Sequence, residues 1–342
     1  MGYVCVDRGS LRCPCHLMAA GQCYTCTMTR TGRCSCEDAA GWQGVCPYSE
    51  YMRRGETAVS REPDSLWETE VLKKIDDGNG LFVVRLSVSA GFAEACQRPG
   101  AYLMAEALGC RTPISVLRTR RQGRDGFVEL AVKSTGPKSE ELTKKSVWRI
   151  AGPYYGGLLR IEALTAAGKA RGTEKARGTE DTHGTEDTHG TGKLLVIARG
   201  VAAAPFLALR QQPDFARMDA EVYLDDESLP EAFLEEYLLG QVFETIRLNR
   251  ERELERMKRR LQQHIRIGCG AEAPPAQAAM VLVSPYFIER LTEDLTAEEK
   301  ERLIMPNPAN LCCGTGLCGS CSHTDSDGLT VRLCKCSSVV IE

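Results

Sequence analysis

Six of the seventeen cysteines fall in the last 31 residues, and four of these six stand at a spacing that iron-sulfur chemistry uses. The segment reads Cys313-Gly-Thr-Gly-Leu-Cys318-Gly-Ser-Cys321, and after twelve intervening residues comes Cys334. C-x4-C-x2-C with a distant fourth cysteine is the plant-type [2Fe-2S] arrangement, in which three thiolates on one loop and one from elsewhere close the cluster. Gly314, Gly316 and Gly319 suit such a loop, because glycine lets backbone amides turn inward toward the sulfides. Zinc is the competing occupant, but zinc sites pair short C-x2-C units with each other or with histidines. Cys312 and Cys336 adjoin the expected ligands. The x4-x2 spacing selects Cys313 over Cys312, whereas Cys334 and Cys336 are harder to separate.

A second group occupies the first 46 residues: Cys5, Cys13, Cys15, Cys23, Cys26, Cys34, Cys36 and Cys46. Recurring C-x-C and C-x2-C pairs can supply four thiolates to each of two clusters, of which [4Fe-4S] is the expected type, or four to one cluster and four to zinc. The stretch has little apolar mass and no amphipathic period, so it is expected to depend on metal to fold. Only Cys96, Cys110 and Cys269 lie between the two groups. A disulfide framework would spread its cysteines and favour an even total, so the clustering and the odd count both speak for metal.

These groups flank 260 or so residues of ordinary globular composition, at the domain sizes usual for such chains. The whole chain of 342 residues is 43% hydrophobic, and its 43 basic and 46 acidic side chains leave a net charge of -3. No global field favours nucleic acid. The longest apolar run, Leu194 to Leu209, is interrupted by Arg199 and Pro205, and Cys5 and Asp7 precede any signal-like stretch. A cytoplasmic protein without a membrane span is the expectation.

Six short β-rich runs between Glu70 and Ile150, separated by turns such as Asp77-Gly-Asn-Gly80 and Arg124-Asp-Gly126, predict a small antiparallel barrel. After Lys193 the pattern changes. Leu194 to Ile197, Ala220 to Leu224 and Met280 to Val283 read as buried parallel strands, and a charged helix runs from about Leu248 to His264. Strands alternating with helices predict an α/β domain of nucleotide-binding type. Between the two halves lie four tandem hexads, from Lys169 to Gly192, with no large apolar residue, which read as an unpacked surface insertion. The expected organisation is a Cys-rich module over 1–60, a β-barrel over 66–160, the insertion over 161–192, a Rossmann-like α/β domain over 193–300 and a [2Fe-2S] module over 306–342.

Taken in that order, these parts resemble the ferredoxin-reductase superfamily, and within it the electron-transfer subunit of dihydroorotate dehydrogenase and the sulfide/dihydroorotate dehydrogenase-like FAD/NAD-binding proteins. The resemblance runs from about Leu66 to the C-terminus. It rests on Arg98-Pro-Gly-Ala-Tyr102, Thr112-Pro-Ile-Ser115, Gly152-Pro-Tyr-Tyr-Gly-Gly157 and the Cys313 to Cys334 motif. It implies a multidomain fold of FAD-binding β-barrel plus nucleotide-binding α/β domain. Tyr102, Pro113, Ile114 and Ser115 would line FAD, Gly136-Pro137-Lys138-Ser139 would open a short helix facing its pyrophosphate, and Gly152 with Pro153 would end the barrel. Where the family has a basic residue just before Pro-x-Ser this chain has Thr112, which shifts phosphate contact toward Arg111 or Lys138.

At the pyridine-nucleotide turn the family has Gly-Gly-x-Gly, and this chain has Gly200-Val-Ala-Ala-Ala-Pro205; Gly200 remains, but methyl groups stand where phosphates approach the backbone. The segment after the third strand is also altered, to Ser284-Pro-Tyr-Phe287. NAD(P) binding is therefore left open. The resemblance implies an FAD and iron-sulfur electron-transfer subunit of a multisubunit oxidoreductase. Its partner would be a second flavoprotein or iron-sulfur subunit or a ferredoxin, and a flavin-based bifurcating complex is one setting. No general acid, base or nucleophile is required. The alternative is a zinc-stabilised scaffold or regulatory subunit on a degenerate reductase fold.

Overall fold

The computed structural model describes residues 65–161, 163–164, 194–216, 218–227, 229–238, 240–266, 278–308, 311–312, 314, 320–324 and 330–335. The eight N-terminal cysteines, the hexad insertion, Cys269, Cys313, Cys318 and Cys336 lie outside them. The chain divides into two compact units, one holding the barrel with the segment from Asn307 onward, the other running from Arg160 to Pro306.

In the first unit six strands close an antiparallel barrel: β1 (Trp67–Gly78), β2 (Leu81–Ser89), β3 (Tyr102–Ala107), β4 (Cys110–Gln122), β5 (Asp125–Lys133) and β6 (Val147–Tyr154), in the order β1-β2-β5-β4-β3-β6. This is the barrel the β-rich runs predict, with most runs extended by a few residues and the third beginning at Tyr102 rather than Ala101. Alternation along β2 turns Val84, Leu86 and Val88 into the barrel, where they meet Leu103, Ile114, Val128, Leu130, Trp148 and Ile150. β5 is buried on both faces, and its Glu129 is fully buried. That carboxylate would be costly alone. It is met by Arg85 Nη2 at 2.7 Å and Arg118 Nη1 at 3.4 Å. Two short helices cover the wall: α1 (Ala90–Ala95), capped by Ser89 Oγ accepting from the Phe92 amide at 3.2 Å, and α2 (Pro137–Lys144).

The second unit is a parallel sheet of β7 (Leu194–Arg199), β8 (Ala220–Asp225), β9 (Phe243–Thr245), β10 (Ala279–Leu282) and β11 (Leu303–Pro306), running β9-β8-β7-β10-β11. β7 and β10 are apolar without alternation because both faces are covered. After β7 come a 3-10 turn, Gly200–Ala203, and α3 (Ala204–Arg210); α4 (Glu231–Leu238), α5 (Glu251–Arg266) and α6 (Pro285–Thr292) complete the layers. α5 buries Leu254, Met257, Lys258, Leu261, His264 and Ile265, the i, i+3, i+4, i+7 stripe of a one-sided helix. No helix among the described residues is long and apolar enough to cross a membrane.

Candidate functional site

β3 and β4 pair so that Tyr102 lies opposite Ser115, Leu103 opposite Ile114, Met104 opposite Pro113 and Glu106 opposite Arg111. The pleat then separates their side chains. Ile114 enters the barrel core and shapes the wall from inside, while Pro113 is exposed and Ser115 half-buried on the other face. Tyr102 is also on that outer face. With Met104, Ala151 and Tyr154 it forms a small cluster of its own, and the Tyr102 and Tyr154 rings are tilted together at 5.5 Å. Thr112 has the inward parity of Ile114, and its Oγ1 is buried with no hydrogen-bond partner among the described residues. The half-buried Ser115 hydroxyl and the exposed Pro113 ring share the outer face with Tyr102, a mixed polar and apolar strip that fits the flavin that the resemblance implies.

Gly136 is the N-cap of α2 and Pro137 stands in its first turn. Ser139 Oγ accepts from the Thr135 and Gly136 amides at 3.0 and 3.1 Å and donates to the Gly136 carbonyl at 2.8 Å. Ser139 thus shapes the helix start, and Lys138, which is exposed, carries the charge there. Sequence reasoning missed what fixes the other end. Trp148 Nε1 donates to the Leu142 carbonyl at 3.1 Å, and Lys74 Nζ donates to the Thr143 carbonyl at 2.5 Å. The first turn, with its outward amides and partial positive charge, is left at the surface, where an anion is stabilised.

The loop after β6 is a packing hub that single-residue reading did not find. Gly152–Pro153 is a cis peptide within β6. Arg98 lies over the Tyr155 ring, 4.4 Å from its centroid, and Tyr155 donates to the Ala95 carbonyl at 3.3 Å. A side chain at Gly157 would strike the Gly100 carbonyl at 2.6 Å, so two of the resembling motifs fit against each other. Asn307 ties in the C-terminal segment: its amide donates to the Gly157 carbonyl at 3.0 Å, and its Nδ2 donates to the carbonyls of Gly156 and Leu333 at 2.8 and 2.7 Å.

Cys321 and Cys334, two of the four predicted [2Fe-2S] ligands, are buried together. The hairpin of β12 (Ser322–Thr324) and β13 (Thr330–Arg332) pairs Ser322 with Arg332, and the Leu333 amide donates to the Cys321 carbonyl at 3.0 Å. Cys334 therefore returns to Cys321. A hydrogen bond from the Cys334 thiol, aided by the Arg332 charge and opposed by burial, lowers the Cys321 pKa to about 6. Thiolate at neutral pH is the metal-binding form of cysteine. Cys312 is exposed. Among the described residues no group of three Cys, His, Asp or Glu side chains could hold a metal; Cys313 and Cys318 lie outside them. Gly314, on the same loop, has φ +70° and packs so closely that a Cβ would sit 2.9 Å from the Tyr154 ring. A Cβ at Gly156 would meet the Cys334 carbonyl at 2.6 Å.

In the second unit Gly200 follows β7 with φ +54°, and the Glu227 carboxylate lies over it. Arg199 reaches Asp225 and Glu227, both at 3.1 Å. Of the isolated cysteines, Cys96 is a small apolar residue of the barrel core and Cys110 is exposed.

A closed six-stranded antiparallel barrel followed by a parallel α/β sheet defines a two-unit architecture. No family model matches the sequence, and no curated protein matches it. Solved structures do match. The NADH-dependent reduced ferredoxin-NADP oxidoreductase studied for flavin-based electron bifurcation is 18% identical, over 82% of this chain and 87% of its own, with a TM-score of 0.52. Phthalate dioxygenase reductase (12% identical, 80% and 96% covered, TM-score 0.44) and a ferredoxin NADP+ reductase from Neisseria gonorrhoeae with bound FAD and NADP (13%, 71% and 99%, 0.44) are also similar. The chain shares the fold of the first of these structures, in keeping with the fold that the sequence motifs imply.

Proposed function

We propose that this chain is the FAD and [2Fe-2S] electron-transfer subunit of an oxidoreductase. One observation carries the reading: Gly314, within the cysteine motif, packs against the barrel beside the strands to which we assign the flavin. Gly314 packs on the Tyr154 ring, Tyr154 on Tyr102, and Tyr102 is the cross-strand partner of Ser115. FAD supplies exchange between two-electron and one-electron carriers, and the protein supplies position and electrostatics. Pro113, Ser115 and Tyr102 offer the surface along β3 and β4. Arg111, Lys138 and the amides at the start of α2 oppose the pyrophosphate charge. Cys313, Cys318, Cys321 and Cys334 hold the [2Fe-2S] cluster, and the N-terminal cysteines hold further iron-sulfur centres that extend the path to a partner subunit or a ferredoxin. No side chain in this surface is asked to move a proton.

Replacing Cys318 or Cys321 with serine in the anaerobically purified full chain should abolish the [2Fe-2S] electron paramagnetic resonance signal and leave flavin absorbance in place. A normal signal in both variants excludes this ligand set.

A further inference from the structure

We infer that the α/β unit does not bind NAD(H) or NADP(H), because the crevice in which this fold seats a dinucleotide, an open cavity of about 370 Å³, is lined by carboxylates that hold the cations a phosphate would need. β7 stands between β8 and β10, and the chain leaves it toward β8 while β10 returns on its other side. The carboxyl ends at such a switch point are where open parallel sheets hold nucleotides. In this chain the last residue of β7 is Arg199. Its Nε lies 3.1 Å from Asp225 Oδ2 at the end of β8, its Nη2 lies 3.1 Å from Glu227, and its guanidinium carbon is 5.0 Å from the centre of the Phe287 ring in α6, beyond β10. One side chain thus spans the crevice from β8 to the helix that follows β10.

The phosphate position fares no better. Gly200 keeps the left-handed φ of a phosphate-binding turn, but the Glu227 carboxylate is 2.7 Å from where its Cβ would be. An anion sits where the family's backbone receives an anion. Arg199 cannot offset it, because two carboxylates already share that cation. Arg247 is likewise engaged, with Asp226 at 3.0 Å and Asp225 at 3.9 Å. Helix α3 offers little more: Pro205 in its first turn has no N–H to donate, and its N-cap is Ala203. Asp225, 25 positions past Gly200, is where many dinucleotide folds place the acid that binds a ribose hydroxyl. It is buried, and its Oδ2 is held by Arg199 and by the Leu248 amide at 3.0 Å. The residues do not fit the nucleotide.

Equilibrium dialysis of NADH and of NADPH against the FAD-loaded full chain tests this without using flavin reduction as a readout. No saturable binding is expected for either nucleotide up to about 1 mM. Arg199→Gly/Ala202→Gly/Glu227→Gln should bind at least one of them roughly tenfold more tightly. Since losing Arg199 strips a buried carboxylate of its partner, Ala202→Gly/Glu227→Gln, which keeps that pair, is measured beside it and should gain less. Saturable binding to the unmodified chain with a Kd tighter than about 1 mM overturns the inference. A lack of gain in both variants overturns the assignment of the block to these side chains. The inference rests on the second unit alone, so a chain found to carry no flavin would sink the proposed function and leave this result readable.

Discussion

Cys334 and Cys336 differ by two positions, and burial separates Cys334 from a surface thiol: it is 1% exposed, touches the Cys321 sulfur and has its carbonyl against Gly156. Cys334→Ser should therefore lose the [2Fe-2S] signal, while Cys336→Ser and Cys312→Ser keep it and the iron content that goes with it. Exchange of these outcomes between Cys334 and Cys336 would show that the fourth ligand is the later cysteine. Spacing alone could name Cys313, Cys318 and Cys321, because three ligands on one loop are a local feature. It could not show the Arg199, Asp225 and Glu227 network. Those partners are 26 and 28 residues apart, and only the parallel pairing of β7 with β8 joins them.

At the level of elements, α2 is useful to a pyrophosphate only if its first turn is held at the barrel surface, and the hold is Trp148. Trp148→Phe keeps most of the apolar volume but removes one of two donors to the Leu142 carbonyl, which keeps only the 3.3 Å bond from the Lys145 amide. We expect a loss of about 0.5–1.5 kcal/mol in stability and a several-fold weaker FAD affinity, measured by thermal melting and by flavin release on dilution. An unchanged FAD affinity would detach α2 from the flavin site. Gly156→Ala drives a methyl group into the Cys334 backbone. It should lower iron content and cost about 1–3 kcal/mol, with flavin content retained; normal iron loading would mean that the contact is incidental. The barrel strands and the long helix α5 were legible because period-2 alternation and the i, i+3, i+4 stripe are written locally. α1, α4, α6 and β11 were not read because they are short and take their burial from neighbours distant in sequence. The seat of the cysteine loop on the Gly152 to Gly157 segment was hidden for the same reason: Asn307 bonds to a carbonyl 151 residues away.

Across the whole molecule, the two cysteine groups stand at opposite ends of the sequence, on either side of the barrel and the parallel sheet. Truncation before Arg54 should lower iron per chain while sparing FAD, and deletion of Lys169 to Thr191 should leave both cofactors and the melting temperature nearly unchanged, since a polar repeat adds no buried apolar area. Loss of FAD in the deletion would mean that the repeat contacts the flavin unit. The central claim, that this fold carries flavin and iron-sulfur centres rather than zinc, is tested most directly by the visible spectrum of the anaerobically purified full chain during stepwise reduction. The account predicts flavin bands on a broader sulfur-to-iron absorption, both bleaching on reduction and returning on reoxidation. A colourless protein that holds zinc and shows no reducible absorption would contradict it.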